Sequence, residues 1–450
     1  MIDLRPHISA GAGIWWSQAS AEPTPLVHAL LDQVPDIGPV RAFVGLTWDR
    51  RLTQEMRTEL AVVSYGGLGE LRVLSQQGRL EVVPCHYAAL PRLFADRRLP
   101  SDVGLAQVSP PDADGMCSLG VGVDYVADAV AHTPVLIAEI NRRMPRTRGS
   151  ARIPLSRFAA TIQTDRPLLE VPDRAADPVD LTIAGYVAGL VKDGDTIQIG
   201  VGSLPSAVLD ALSDHRDLGL HSGMVSDAVV RLVDCGVLTG ARKEIDTGVL
   251  VTGAALGTAA GLYDRLGDLP IEFRAASYTH TPAVLAQLRS LVSINSAIEV
   301  DLTGQVGAEV AGRTYVGAVG GQVDFSRAAS LTGARSIIAL RSTNRDVSSI
   351  KRSLDFGAVT TARADVDFVV TEYGVAELRG ASLKARAERL AAVAAPQHRD
   401  ELENHLASRN CRPDHAKREG QRHDPPEVSA DPRSRSPRRL SERAGEHRDR

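Results

Sequence analysis

The chain has 450 residues, 43% apolar and 24% charged, with a formal net charge of -4. This is an ordinary globular composition, long enough for two domains, and its slight acidity argues against nucleic-acid binding, which would favour a basic domain. With 39 glycines and only 4% aromatics, the expected core is Val/Ile/Leu strands on Ala-rich helices, an α/β pattern.

Residues 1–20 read as irregular and hold the pair Trp15-Trp16. From about 25 to 145, strand-like runs alternate with helical ones. The strands are expected at 41–46, 80–84 and 133–140, with a turn-rich loop at 108–115. This alternation predicts parallel βα units. Residues 163–180 carry three prolines and many charges and read as a connector between domains. A second α/β series follows, with a helix over 178–191 and strands at 196–199, 291–294, 336–340 and 366–370. The predicted fold is two open α/β domains with mostly parallel sheets and a ligand cleft between them, over residues 1–172 and 173–410. Residues 411–450 have almost no large apolar side chain and many Arg, Asp, Glu, Pro and Ser. Such a segment reads as a disordered charged tail.

Cys85, Cys117, Cys235 and Cys411 form no CxxC pair and have no histidines at ligand spacing. No metal and no disulfide framework is expected, and a reducing cytoplasm is the default compartment. No leader pattern stands at the N-terminus, and no run approaches the roughly 18 apolar residues of a membrane span.

Three stretches have the residue types of a ligand site. Ile199-Gly200-Val201-Gly202-Ser203-Leu204-Pro205 runs from a strand through a glycine turn into a helix. Its glycines admit a ligand to the backbone, and the helix start offers N–H groups to an oxygen. A plain βα turn is the simpler reading, and the dinucleotide fingerprint is absent. Residues 295–306 (NSAIEVDLTGQV) gather Asn, Glu, Asp and Gln just past a strand, where open α/β sheets bind ligands. The alternative is a polar loop capping its own backbone. Residues 317–325 (GAVGGQVDF) place glycines at Gly317, Gly320 and Gly321. Their N–H groups suit an oxyanion or an amide, against the alternative of a flexible loop.

These stretches occur in order with Ala21-Glu22-Pro23, VSPPDADGMCSLGVGVDY (108–125) and GAVTTARADVDFVVTEYGVAELRG (357–380). Together they make the chain similar to the acetyl-CoA hydrolase/transferase family over roughly residues 20–408. The resemblance implies coenzyme A as substrate, a small carboxylic acid as acceptor, and a homodimer. It implies ping-pong chemistry in which a glutamate attacks the thioester and becomes a glutamyl-CoA thioester. Carried over by position, Gly200, Val201, Gly202, Ser203 and Leu204 line the thiol end of CoA. Ile298, Gly320 and Gly321 contact it, and Arg345 takes the place of a basic CoA-binding residue.

The family nucleophile lies in a motif of the type HSEMxSDG. Here the motif reads His221-Ser222-Gly223-Met224-Val225-Ser226-Asp227-Ala228, so Gly223 stands where the glutamate belongs. His221 is expected to be structural and Asp227 to cap the helix that follows. Glu299 is the expected substitute base, acting on water. The resemblance thus implies CoA transfer, with thioester hydrolysis or CoA binding without catalysis as the alternatives.

Overall fold

The computed structural model describes residues 2–149, 152–173, 175–355 and 357–410, with backbone only for 405–410. The charged tail read at 411–450 lies outside the described residues.

A seven-stranded sheet organises the first half. Its strands are β1 (Gly13–Trp16), β2 (Val40–Phe43), β3 (Leu60–Ser64), β4 (Leu80–Val82), β5 (Val103–Val108), β6 (Val135–Asn141) and β7 (Ala160–Thr164). They run in the order β7-β6-β5-β1-β2-β3-β4, and every pairing is parallel. The strands expected at 41–46, 80–84 and 133–140 appear with shifted ends.

The reading of residues 1–20 as irregular is corrected, because Gly13–Trp16 is a central strand. Its alternation puts Trp15 and Trp16 on opposite faces, in separate apolar clusters. Both rings are fully buried, and both indole N–H groups have partners. Trp15 Nε1 donates to Thr133 Oγ1 at 2.8 Å and Trp16 Nε1 to Glu22 Oε1 at 3.0 Å. The signal is short because the strand is four residues long and leaves no room for a visible period.

Helix α1 (Thr24–Ile37) follows, with proline in its first turn and Gly38 at φ 96° ending it. Helix α2 (Asp124–His132) leads into β6. Helix α3 (Pro178–Ala188) opens the second half. Asp177 caps it by accepting from Val179 N and Asp180 N, and Pro178 takes the first helical position. The helix stops at Gly189, short of the expected Val191.

The second sheet has β8 (Thr196–Ile199), β9 (Gly219–Leu220), β10 (Leu291–Ser296), β11 (Arg335–Ala339), β12 (Phe368–Thr371) and β13 (Gly374–Glu377), in the order β9-β8-β10-β11-β12-β13. Only the last pair is antiparallel. The chain is therefore mixed α/β with mostly parallel sheets. Helices α4 (Ser203–Ala211), α5 (Asp227–Asp234) and α6 (Gln322–Thr332) belong to this half. Residues Met1–Ser408 form one compact unit.

The stretch read as a connector is anchored at its start. Glu139 on β6 has no exposed side-chain surface, and Arg166 approaches it with two hydrogen bonds, Nε to Oε1 at 2.7 Å and Nη2 to Oε2 at 2.9 Å. Thr164 Oγ1 donates to the same carboxylate, and Arg166 Nη2 also donates to the Glu22 carbonyl. Removing one member of a buried pair strands the other charge. Arg166→Met is expected to lower the unfolding free energy by about 3 kcal/mol, read from urea denaturation. A loss below about 1 kcal/mol would show that the pair behaves as a surface bridge.

Candidate functional site

The two sheets meet at a cavity of about 290 Å³. The first half contributes Gln18, Leu46, Tyr65, Leu68 and Tyr87 to its wall. The second half contributes the end of β8 with Gly200 and Val201, then Ser222–Met224, His280, Asn295, Ala318–Gln322 and Phe325. Strand ends and βα loops of an open parallel sheet are where such folds hold ligands.

The wall from the second half depends on glycine. The loop 317–321 lies against the first half's backbone, with Gly67 N donating to the Gly317 carbonyl at 2.9 Å and Tyr87 N to the Gly320 carbonyl at 3.0 Å. A Cβ on Gly66 would stand 2.4 Å from Gly317 O, and one on Gly67 would stand 2.1 Å from Tyr315 O. The glycines at 66 and 67, unremarked in the sequence, are therefore needed for this approach. Asp324 in the first turn of α6 adds a side-chain tie, accepting from Ala88 N at 3.0 Å. Burial pushes its carboxyl up to about 7.

Of the residues singled out in the sequence, Gly200, Val201, Gly223, Gly320 and Gly321 line the cavity. The remaining residues expected to contact CoA or to act in catalysis lie outside its wall. Gly202 (φ 131°) and Ser203 form the start of α4, and Leu204 is buried in that helix. Ile298 pairs its amide with the Gly307 carbonyl. Arg345 is exposed, at φ 48°, in the turn between Asn344 and Val347. Glu299 lies in the strand Glu299–Asp301, where its Oε1 accepts from Asp355 N at 3.0 Å. Asp301 serves its own loop, accepting from Thr303 N, Thr303 Oγ1 and Gln305 N, which is the backbone-capping alternative. From that polar stretch only Asn295 reaches the cavity wall, held by Gln198 and Ser293.

Around Gly223 the neighbouring motif residues are engaged elsewhere. Ser222 Oγ donates to the Ile199 carbonyl at 2.8 Å. Asp227 does not cap α5. It accepts from Thr258 N and Thr258 Oγ1, both at 2.9 Å, and so fixes a distant loop. His221 is fully buried, and its Nε2–H donates to the Thr279 carbonyl at 3.0 Å. No Asp or Glu is among the described residues that line the cavity. A carboxylate does stand behind the wall. Asp124 accepts from Gln18 Nε2 at 2.7 Å and from Val126 N, and burial raises it to about 6.

Sequence reasoning missed His280, which comes from the segment after the short helical turn Ala276–Thr279. Its ring packs between Tyr87 and Phe325, at centroid distances of 4.6 and 5.0 Å. A Cβ built on Gly223 would lie 3.0 Å from its Nε2, and one on Gly321 would lie 2.5 Å away. Desolvation lowers this imidazole to about 3, so it is neutral near neutral pH. Its only sequence signal is a histidine next to a threonine, which carries no positional information.

Comparison with known proteins places the chain. Residues 3–170 match the acetyl-CoA hydrolase/transferase N-terminal domain and residues 259–406 the C-terminal domain. The glycine turn at 200 and Gly223 fall between the two matched ranges. The 4-hydroxybutyrate coenzyme A transferase of Clostridium kluyveri is 42% identical over 74% of this chain and 78% of its own length. The succinyl-CoA:acetate/propanoyl-CoA:succinate CoA transferase of Fasciola hepatica is 40% identical over 74% and 71%. Among solved structures, RipA from Yersinia pestis superposes with a TM-score of 0.84 at 36% identity, covering 90% of this chain and 96% of that one. The 4-hydroxybutyrate CoA-transferase of Porphyromonas gingivalis gives 0.76 at 34%, over 90% and 95%.

One stability test follows from the buried histidine of the motif. Burial, then the nearby Lys243 charge, lowers His221 from 6.5 to about 4. The unfolded chain binds a proton on this residue below about pH 6.5 while the native state resists it. Its contribution is therefore complete above that pH and is lost as pH falls toward 4. The stability gap between wild type and His221→Gln, read from thermal melts, is expected to narrow by roughly 1.4 kcal/mol per pH unit at the steepest. A gap that stays constant from pH 7 to 4 would mean that His221 titrates normally in the fold.

With both domain matches, relatives at 40 and 42% identity and solved folds superposing over nine-tenths of its length, the chain belongs to the acetyl-CoA hydrolase/transferase family, whose members are CoA-transferases and acetyl-CoA hydrolases.

Proposed function

We propose that this protein moves coenzyme A between a short acyl-CoA and a small carboxylic acid such as acetate or 4-hydroxybutyrate. In this reading residues 1–172 and 173–410 act as two domains with the acyl-CoA thioester between them, in a cytoplasmic homodimer. The observation that carries it is the cavity where the Gly200 turn, Gly223 and the Gly320–Gly321 loop converge.

Gly223 has no carboxylate to hold a covalent intermediate. Transfer then runs directly between substrates. The acceptor's carboxylate oxygen attacks the thioester carbonyl, the C–S bond breaks, and a mixed anhydride and CoA thiolate form. The thiolate attacks the acceptor's carbonyl and releases the first acid as carboxylate. Backbone N–H groups of the glycine turns supply oxyanion stabilisation in this scheme. A second reading, thioester hydrolysis, is favoured by one observation, the neutral His280 ring set against Gly223.

Wild type is expected to incorporate labelled acetate into acetyl-CoA with intersecting initial-rate lines, the sign of a ternary complex. Gly223→Glu combined with His280→Ala, which makes room for the new side chain, is expected to raise exchange on the order of a hundredfold or more and to convert the lines to parallel. A hydroxylamine-trapped glutamyl-CoA adduct on wild type would sink the direct mechanism. A double variant that is stabilised by CoA yet exchanges no faster would sink the assignment of position 223.

A further inference from the structure

The space beside Gly223 has a chemical lining that the family's glutamate chemistry does not use. His280 is 3% exposed, and its imidazole forms part of the cavity wall. Thr279 Oγ1 donates to the Ala275 carbonyl at 3.3 Å, and the same oxygen lies 2.8 Å from His280 Nδ1. A basic Nε2 requires the tautomer in which the hydroxyl proton goes to Ala275 O, Nδ1–H donates to Oγ1 and Nε2 holds the lone pair. Nε2 makes no hydrogen bond among the described residues. Gly223 and the His280 ring line the same cavity side by side, and a Cβ on Gly223 would stand 3.0 Å from Nε2, so only a residue without a side chain leaves that edge of the ring open to the cavity. Tyr87 and Phe325 clamp the ring, and its contact with Gly321 closes a third side.

We propose that His280 Nε2 is the general base of a thioester hydrolase activity in this cavity, acting on water held beside Gly223. The inference rests on the reading that an acyl-CoA thioester enters here. The imidazole takes a proton from water as the hydroxide oxygen bonds to the thioester carbon. The tetrahedral intermediate collapses, the C–S bond breaks, and the imidazolium proton goes to the CoA sulfur. The products are a carboxylic acid and the CoA thiol, with no oxidant or metal required. Desolvation keeps the ring unprotonated near neutral pH and by the same shift weakens it as a base, so its fitness for the role comes from its place in the cavity wall. The aromatic clamp fixes its direction, as a base must be fixed relative to its proton. Glu299, expected from sequence to activate water, lies outside this cavity wall.

The experiment follows free thiol released from acetyl-CoA without an acceptor acid, for wild type, His280→Gln and Gly223→Val. In parallel it follows labelled-acetate exchange and the thermal shift given by CoA. Wild type is expected to release thiol, more slowly in D2O than in H2O. His280→Gln is expected to lose at least tenfold in release while keeping the CoA thermal shift. Gly223→Val, whose side chain would displace water from beside the ring and press on the ring itself, is expected to lose a similar factor. Release by His280→Gln within twofold of wild type overturns the proposal. So does a wild type that exchanges acetate but releases no thiol, which leaves the transfer reading standing. A wild type with no thermal shift from CoA, no exchange and no release overturns both readings.

Discussion

The cavity exists because two backbones approach to hydrogen-bonding distance at a place with no side chains to hold them apart. The loop 317–321 carries carbonyls that Gly67 and Tyr87 amides reach from the other sheet, and bridges join Gly66 to Ala318 and His86 to Gly320. A methyl group at 66, 67 or 321 would overlap atoms at 2.1–2.5 Å, well inside van der Waals contact. The strand ends of the second sheet thereby gain a lid made from the first, and the site is a product of both. Asp324 reinforces the join electrostatically, because its carboxyl is buried against the Ala88 amide.

Burial biases several ionisable groups of this unit toward their neutral forms. Glu22 is raised to about 8, Asp324 to about 7 and Asp124 to about 6, while His221 and His280 are lowered. The two sets act on stability in opposite senses. A raised acid contributes most below its unfolded value and is lost as pH rises through its folded one. A lowered histidine contributes above its unfolded value and is lost as pH falls. The two trends oppose each other across the acidic range, where one set loses its contribution as the other gains it. A dry, uncharged wall is suited to a thioester, whose own charge develops only as it reacts.

What was legible in the sequence was whatever carries its own local pattern. Thr196–Ile199 reads as a strand from its composition, and the glycines at 317–321 announce a close approach, as at Gly317, where a Cβ would stand 2.1 Å from Ala308 O. The motif around Gly223 was also readable, and the structure places that glycine on the cavity wall. Trp15-Trp16 defeated the reading, since a four-residue strand shows no periodicity and its burial depends on β2 and β5 arriving later in the chain. Glu299 drew attention from the polar stretch around it and Arg345 from its position in the family resemblance; Glu299 lies in a small separate sheet and Arg345 in an exposed turn. His280 and the Gln18–Asp124 pair are single polar residues whose role is made by contacts across the two sheets. No window of sequence contains both partners.

The His280 ring also links positions that are far apart in the chain into one choice. It fits only while 223 and 321 are both without side chains, and it is gripped by Tyr87 and Phe325 so that it has little room to yield. A glutamate restored at 223 would meet this ring before it could meet a substrate. In evolutionary terms the glycine and the histidine guard each other. Altering either position alone gives a crowded or an emptied site, so the two residues constrain each other.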